Sequence, residues 1–504
     1  MRLHQVLWMV VLFGLLLQPA AILAATVLDP LLRVTTYACC AQSPTSFAFL
    51  PVGFGGQVEV LILEKYTGRV QYFRDGILQG TALDLAVSSY GERGLLGIAL
   101  HPNFGSNRYV YLEYTTSPTD VDVFTPEEVL DNRVVRYTWD GGALVSPQII
   151  LTLPARPAPF HQGGVIDFGP DGMLYAIIGD VGRFGQLQNM VSGAPPDTTS
   201  VVIRVGDNGT PPADNPFHAM GGAMELVYGY GIRNSFGIEF DPVSGVLWQT
   251  ENGPSFYDEV NRFLPGFNSG WSQLMGPVVR YPAGTSNLWV APGSHYSDPQ
   301  FSWVTTHAPT AIHFLRSDSL GSHNRNDAFV GSFNDRAIYH FELDAARANL
   351  VMPDPSVADR VADTPAERDL FRWAFGFGGG IVDLDTGPDG AMYALSFEDG
   401  VLYRIGRAPL SDAGFPGPAS LRLQVQPNPF RTTASLRVVG AADPAAVLRI
   451  YTVAGRLVRV LEGSAGLTWD GADQAGRPVA PGTYLARLHA ADGHALQAKV
   501  IRLR

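Results

Sequence analysis

Residues 168–180 read FGPDGMLYAIIGD, a short turn cluster followed at once by an apolar strand, and such a turn-strand unit recurs five more times along the chain, with Pro in the turn of five of the six copies. The other copies are FLPVGFGGQVEVLI from Phe49, LHPNFGSNRYVYLEY from Leu100, FDPVSGVLWQTEN from Phe240, LRSDSLGSHNRNDAFVGSF from Leu315 and TGPDGAMYALSF from Thr386. A tight reversal leading into period-2 alternation is a strand leaving a turn, so each copy reads as one hairpin of a small sheet. The turn prolines Pro51, Pro102, Pro170, Pro242 and Pro388, with a weaker copy near Ser317, recur at roughly 50 to 75 residues. That exceeds the ~40 to 50 residues of a compact blade, so the units carry loop insertions. One unit cannot bury its apolar face alone, whereas six stacked about an axis can, leaving only short edges. The predicted fold is therefore all-β: a six-bladed β-propeller, with function at the mouth its insertions crowd.

The chain has 504 residues and a net charge of −12, divided unevenly. Residues 421–504 hold eleven Lys/Arg and five Asp/Glu, net +6, which leaves −18 for residues 1–420. An acidic main domain disfavours phosphate backbones, so nucleic acid is not an expected partner. Residues 1–25 combine Arg2, an apolar run from Val6 to Leu17, Pro19 and small residues to Ala25, the pattern of a signal peptide. The expected destination lies outside the cytoplasm: secreted, at the cell surface or in the periplasm. The two cysteines, Cys39 and Cys40, are neighbours. They read either as a strained vicinal disulfide or as two plain thiols, because adjacent Cα atoms lie ~3.8 Å apart and ordinary disulfides prefer longer spans.

The propeller is expected over 26–407, ending with VLYRIGR (401–407). A Pro/Gly/Ala/Ser linker follows at 408–420, then short alternating strands over 421–504 that suit a small immunoglobulin-like β-sandwich. The order PNPF, IYTVAGRLVRVL, WDGADQAGRPVAPGTYLARL and KVIRLR resembles the FlgD-like immunoglobulin domain and the type A sorting domain of type IX secretion. That resemblance implies outer-membrane secretion machinery as a partner.

Within the propeller, His161 precedes Gly163-Gly164, which permit close approach of a ligand, and Asp180 lies one hairpin later, able to orient the imidazole. A histidine backed by a carboxylate is a competent base at neutral pH. Arg233 and Asn234 sit in a Gly-flanked turn, Gly231 to Gly237, and a fixed guanidinium there stabilises developing negative charge. An arginine in a surface salt bridge fits the same residue. Gly253-Pro254 form a turn whose successive carbonyls can face one hard cation, although a plain turn fits equally.

FHQGGVIDFGPDGMLYAIIGD (160–180), GYGIRNSFG (229–237), ENGPSFYDEVNRFLPGFNSGW (251–271) and GERGLLGIALHPNF (91–104) together resemble the glucose/sorbosone dehydrogenase family. These are six-bladed propellers whose enzymatic members use pyrroloquinoline quinone, and the match runs from about Pro44 to Arg407. The resemblance implies His161 as the base for a sugar hydroxyl, Asp180 as its partner, and Arg233 and Asn234 as cofactor contacts. It implies Ca²⁺ on the carbonyls of Gly253 and Pro254, and a further Ca²⁺ on the Glu259 carboxylate and the Ser269 carbonyl.

The chain also departs from the family's pattern. Gly380 and Val382 occupy the positions of two cofactor-binding arginines, Asn334 that of a lysine, and Glu92 that of a neutral glutamine in glucose-oxidising members. Unpaired buried carboxylates are costly, so Arg93, Arg336 or Arg372 would have to compensate from other directions. Two readings follow. One is an exported, Ca²⁺-dependent quinoprotein dehydrogenase acting on a sugar hydroxyl or aldehyde. The other is a propeller that has lost the cofactor and serves as a surface glycan- or protein-binding module.

Overall fold

The computed structural model describes residues 25–51, 57–126, 131–155, 159–407, 422–439, 446–452, 457–463, 467–489 and 495–503. The signal peptide expected over 1–25, Ala25 apart, and the linker expected over 408–420 lie outside these residues. The chain divides into two compact units between Arg407 and Ala408.

Each quoted segment lies between the first and second strands of its own sheet, the turn residues 52–56 of the first falling outside the described residues. The first strands, numbered here by blade from one to six, are Pro44–Leu50, Leu95–Leu100, Ile166–Phe168, Gly237–Phe240, Pro309–Phe314 and Ile381–Thr386. The second strands are Glu59–Glu64, Tyr109–Thr115, Leu174–Ile178, Leu247–Glu251, Ala328–Ser332 and Met392–Ser396. In the third blade the Gly172 N–H donates to the Gly169 carbonyl at 2.9 Å with φ +76°, and Gly390 repeats this on Gly387 at 2.8 Å with φ +75°. That left-handed backbone is why both turns end in glycine.

The first strands pack side by side in chain order, and the sixth returns to the first, closing the ring. The last sheet is completed from the other end of the unit: Leu32–Ala38 pairs antiparallel with Leu402–Arg407, Leu32 opposite Arg407 and Thr36 opposite Tyr403. This joins the unit's two ends by a hydrogen-bonded ladder and removes an open seam between first and last blades.

Alternation is not what the second strands show. In the third to sixth blades every residue of the second strand is buried. The reason is that each blade packs on a neighbour at both faces: Tyr111 and Val134 of the second blade share a core with Leu174 and Val201 of the third, as Trp248 of the fourth does with Val330 of the fifth. Two-sided burial favours continuous apolar runs, and at ~1.5–3 kcal/mol per buried side chain the inter-blade seams supply much of the folding energy.

In the second unit, a sheet of Arg422–Gln426, Ala434–Val439 and Leu467–Trp469 faces one of Leu457–Gly463, Ala446–Thr452, Gly482–His489 and Ala495–Arg502. Trp469 is buried between them, beside Phe430, Leu448 and Ile450, with its indole N–H on the Ala472 carbonyl at 2.8 Å. Cys39 and Cys40 are exposed, unbonded thiols. Among the described residues, no helix is long and apolar enough to cross a membrane.

Candidate active site

In a four-stranded meander the starts of first strands and the ends of second strands share one mouth. His161 precedes the first strand of the third blade and Asp180 follows its second; Arg233 and Asn234 precede the first strand of the fourth blade, and Gly253-Pro254 follow its second. Two backbone hydrogen bonds tie these segments together, from Asp180 N–H to the Arg233 carbonyl at 2.9 Å and from Asn252 N–H to the Asn234 carbonyl at 2.8 Å. Gly179 lies where they converge, since a Cβ there would stand 2.5 Å from the carbonyl oxygens of both His161 and Arg233.

His161 has φ +67°, a conformation that costs a non-glycine residue about 1–3 kcal/mol and persists only when over-determined. Here its N–H donates to the Glu92 carboxylate and its Nδ1 lies 2.7 Å from Asp180 Oδ1. Asp180 also accepts from the Gly182 N–H at 2.8 Å and the Trp271 indole N–H at 2.7 Å. A carboxylate fully supplied with donors fixes the proton on Nδ1, leaving the Nε2 lone pair, which makes no hydrogen bond among the described residues, free to accept a proton.

Arg233 is half-buried and forms no ion pair among the described residues. Its guanidinium donates to the Asn252 carbonyl at 2.8 Å and lies 5.3 Å from the centre of the Trp271 ring. Burial lowers its pKa, opposed by the charges of Asp180, Glu92, Glu251 and Asp258. It is held by a carbonyl and a π face, with no carboxylate partner among the described residues. Three buried polar atoms here lack partners among the described residues: Arg233 Nε, Asn234 Oδ1 and Asn252 Oδ1. Glu92 accepts from Asn234 Nδ2 at 3.1 Å, and burial pushes its carboxyl up despite that bond and the one from His161.

Glu259 is buried, directly opposite Glu251 across the strand pair. It accepts from Asn261 Nδ2 at 2.9 Å and from the Gly276 N–H. Glu251 takes the Ser269 hydroxyl at 2.6 Å and the Arg233 N–H at 2.7 Å. Burial raises both carboxyls, and Glu251 raises Glu259 further. Gly253 donates its N–H to Asp258 Oδ1 at 2.9 Å, which shapes the Gly253-Pro254 turn.

The other candidates lie elsewhere or are engaged. A Cβ on Gly380 would fall 2.6 Å from the Phe333 ring and 2.8 Å from the Phe333 carbonyl oxygen, so side chain and backbone together fill the space an arginine would need. Val382 packs on the cluster of Phe47, Val60 and Tyr393. Asn334 is exposed, its N–H on the His307 carbonyl at 3.2 Å. Arg93 is buried and donates to the carbonyls of Tyr90 at 3.2 Å and Thr125 at 2.9 Å. Arg336 donates to the Gly378 carbonyl at 3.1 Å, and Arg372, on the outer part of the fifth blade, pairs with Asp369 at 2.7 Å.

Trp271 and Glu251 were not singled out from the sequence. Both stand at the ends of the motif 251–271 already quoted, where the paired Gly270-Trp271 was the available signal.

The glucose/sorbosone dehydrogenase family model matches residues 41–404. An uncharacterised protein of Synechocystis is 30% identical over 72% of this chain and 84% of its own length. The aldose sugar dehydrogenase YliI of Escherichia coli is 25% identical over 70% of this chain and 87% of its own. A putative glucose dehydrogenase from Thermus thermophilus superposes with a TM-score of 0.58 at 30% identity, covering 74% of this chain and 99% of its own. The PQQ-bound aldose sugar dehydrogenase of Streptomyces coelicolor gives 0.53 at 25%, covering 74% and 98%. With a matching model that spans most of its length and a closed ring of six blades to carry it, the chain belongs to the glucose/sorbosone dehydrogenase family.

Proposed function

We propose that this protein is an exported dehydrogenase that oxidises a sugar hydroxyl or aldehyde, with His161 as the base. The observation that carries the reading is the Nε2 of His161, free among the described residues, whose other nitrogen is tied to buried Asp180, beside an arginine with no carboxylate partner among those residues. The chemistry of the residues present fits pyrroloquinoline quinone: Arg233 Nε, Asn234 Oδ1 and Asn252 Oδ1 are buried polar atoms without partners among the described residues and would hold it. When bound, that group supplies a two-electron acceptor for the hydride leaving the sugar carbon. His161 Nε2 takes the hydroxyl proton, worth typically 10²–10⁴-fold in rate, and Asp180 stabilises the resulting imidazolium. Arg233 offsets negative charge that develops on an acceptor oxygen, and Trp271 holds both Asp180 and Arg233 in place. Gly253 and Pro254 would hold Ca²⁺ through their carbonyls, and Glu259 with Ser269 a further ion. The C-terminal unit serves export or surface attachment in this reading, on the strength of its motif order.

A second reading has one observation in its favour: Phe333 occupies the space beside Gly380, so the far wall offers no cation there to the cofactor's carboxylates. In that reading the propeller binds a surface glycan or protein without catalysis. Titration of metal-stripped protein with pyrroloquinoline quinone and Ca²⁺, then a panel of aldoses, separates the two. Stoichiometric binding and sugar-dependent bleaching, lost in His161→Ala, supports the dehydrogenase. No binding at micromolar cofactor rejects it.

A further inference from the structure

The loop between the second and third strands opens onto the His161 mouth in every blade, and in all six it carries an aromatic residue: Tyr66, Phe124, Phe184, Phe256, Phe333 and Phe397. On one side of the mouth these rings form a continuous arc. Phe333 meets Phe397 at 5.6 Å between centroids, Phe397 meets Tyr66 at 6.2 Å, Tyr66 meets Phe124 at 5.9 Å, and Phe124 meets Tyr90 at 5.5 Å. Phe124 is 61% exposed and Tyr66 37%, so the arc faces solvent rather than closing a core.

The arc is held from beneath by the two buried cations of this wall. Arg93 donates to the carbonyls of Tyr90, Thr125 and Pro126, fastening the Tyr90 turn to the Phe124 loop. Lys65 donates to the Gly91 carbonyl at 2.6 Å and stands 3.9 Å from the centre of the Tyr66 ring. Exposed Arg336 lies 4.0 Å from the Glu398 carboxylate, next to Phe397. These cations are engaged in holding loops or facing a carboxylate, which does not suit an anionic ligand. Aromatic faces beside the Glu398 carboxylate suit a neutral polyhydroxyl chain, whose polarised C–H faces stack on the ring quadrupole while its hydroxyls donate. Rings already packed on one another, edge to face from Phe397 to Tyr90 and tilted between Phe333 and Phe397, lose little freedom on binding.

We infer that the arc Phe333-Phe397-Tyr66-Phe124-Tyr90 is a binding platform for a neutral glycan of several sugar units. Placing the end of that chain at His161 rests on the dehydrogenase reading; binding to the arc does not. The test is calorimetry on cofactor-free protein with the hexaoses of β-1,4-glucan, β-1,4-mannan, β-1,4-xylan and α-1,4-glucan, each against its own monosaccharide. At least one hexaose should bind ~10-fold or more tightly than its monomer. Phe124→Ala should erase that preference with an unchanged melting temperature, and Leu78→Ala, on the outer strand of the first blade, should leave it intact. A hexaose preference here, with no pyrroloquinoline quinone bound at micromolar concentration in the separate titration, keeps the platform and rejects the dehydrogenase. No hexaose exceeding its monomer, a preference indifferent to Phe124→Ala, or Phe124-dependent binding of a protein ligand alone overturns the inference.

Discussion

Glu113 lies in the second strand of the second blade, 2% exposed, with its Oε2 buried and without a partner among the described residues. A Cβ on Gly164 would fall 2.7 Å from that oxygen, so the carboxyl backs the turn that carries His161. Burial pushes its pKa up from 4.5 to about 8. The folded state therefore holds a proton that the unfolded chain has released, and stability falls as pH rises from about 4.5, levelling above about 8. At 1.36 kcal/mol per pKa unit, this component amounts to about 4 kcal/mol between pH ~5 and pH ~9. Glu113→Gln keeps the shape and removes the ionisation. Urea unfolding at both values should show the variant gaining about 4 kcal/mol on the parent in going from acid to alkaline. Asp167 and Asp383, also pushed up to about 7 by burial, contribute equally to both proteins and cancel. A gain below ~1 kcal/mol would mean the carboxyl finds a partner or water when ionised, refuting the argument.

Trp271→Phe retains a ring beneath Arg233 but removes the donor to Asp180; losing a charge-assisted hydrogen bond of ~1.5–3 kcal/mol predicts a ~10- to 100-fold fall in kcat/KM, read by steady-state kinetics with the melting temperature as control. Gly179→Ala should destabilise by at least ~1–3 kcal/mol in chemical unfolding, because its Cβ meets two backbone oxygens at 2.5 Å and neither can yield alone. Gly380→Arg should fail to improve pyrroloquinoline quinone affinity in fluorescence titration, alone or combined with Phe333→Ala, because its Cβ meets the Phe333 backbone oxygen at 2.8 Å as well as the ring at 2.6 Å. Val330→Ala, at the fourth-to-fifth blade seam, should cost ~1–3 kcal/mol without altering substrate preference, measured by unfolding and by kinetics.

Six turns followed by apolar strands determined the blade number by sequence alone, because the turn chemistry is local: Gly172 and Gly390 end their reversals whatever surrounds them. The same local signal misread the second strands as alternating, since the ring buries both faces and only neighbouring blades reveal that. His161 and Asp180 stand one hairpin apart, and their pairing was legible because a hairpin brings its ends together. Trp271, 91 residues beyond Asp180, was not, because its donor reaches Asp180 only through the packing of the third and fourth blades. Charge type was equally legible and equally incomplete. The chain announces that Gly380 and Val382 carry no charge, but only tertiary packing sets Phe333 against Gly380 and directs Arg93 to the carbonyls of Tyr90 and Thr125. A guanidinium's partner is whichever acceptor the fold brings within reach, and sequence spacing does not encode that distance.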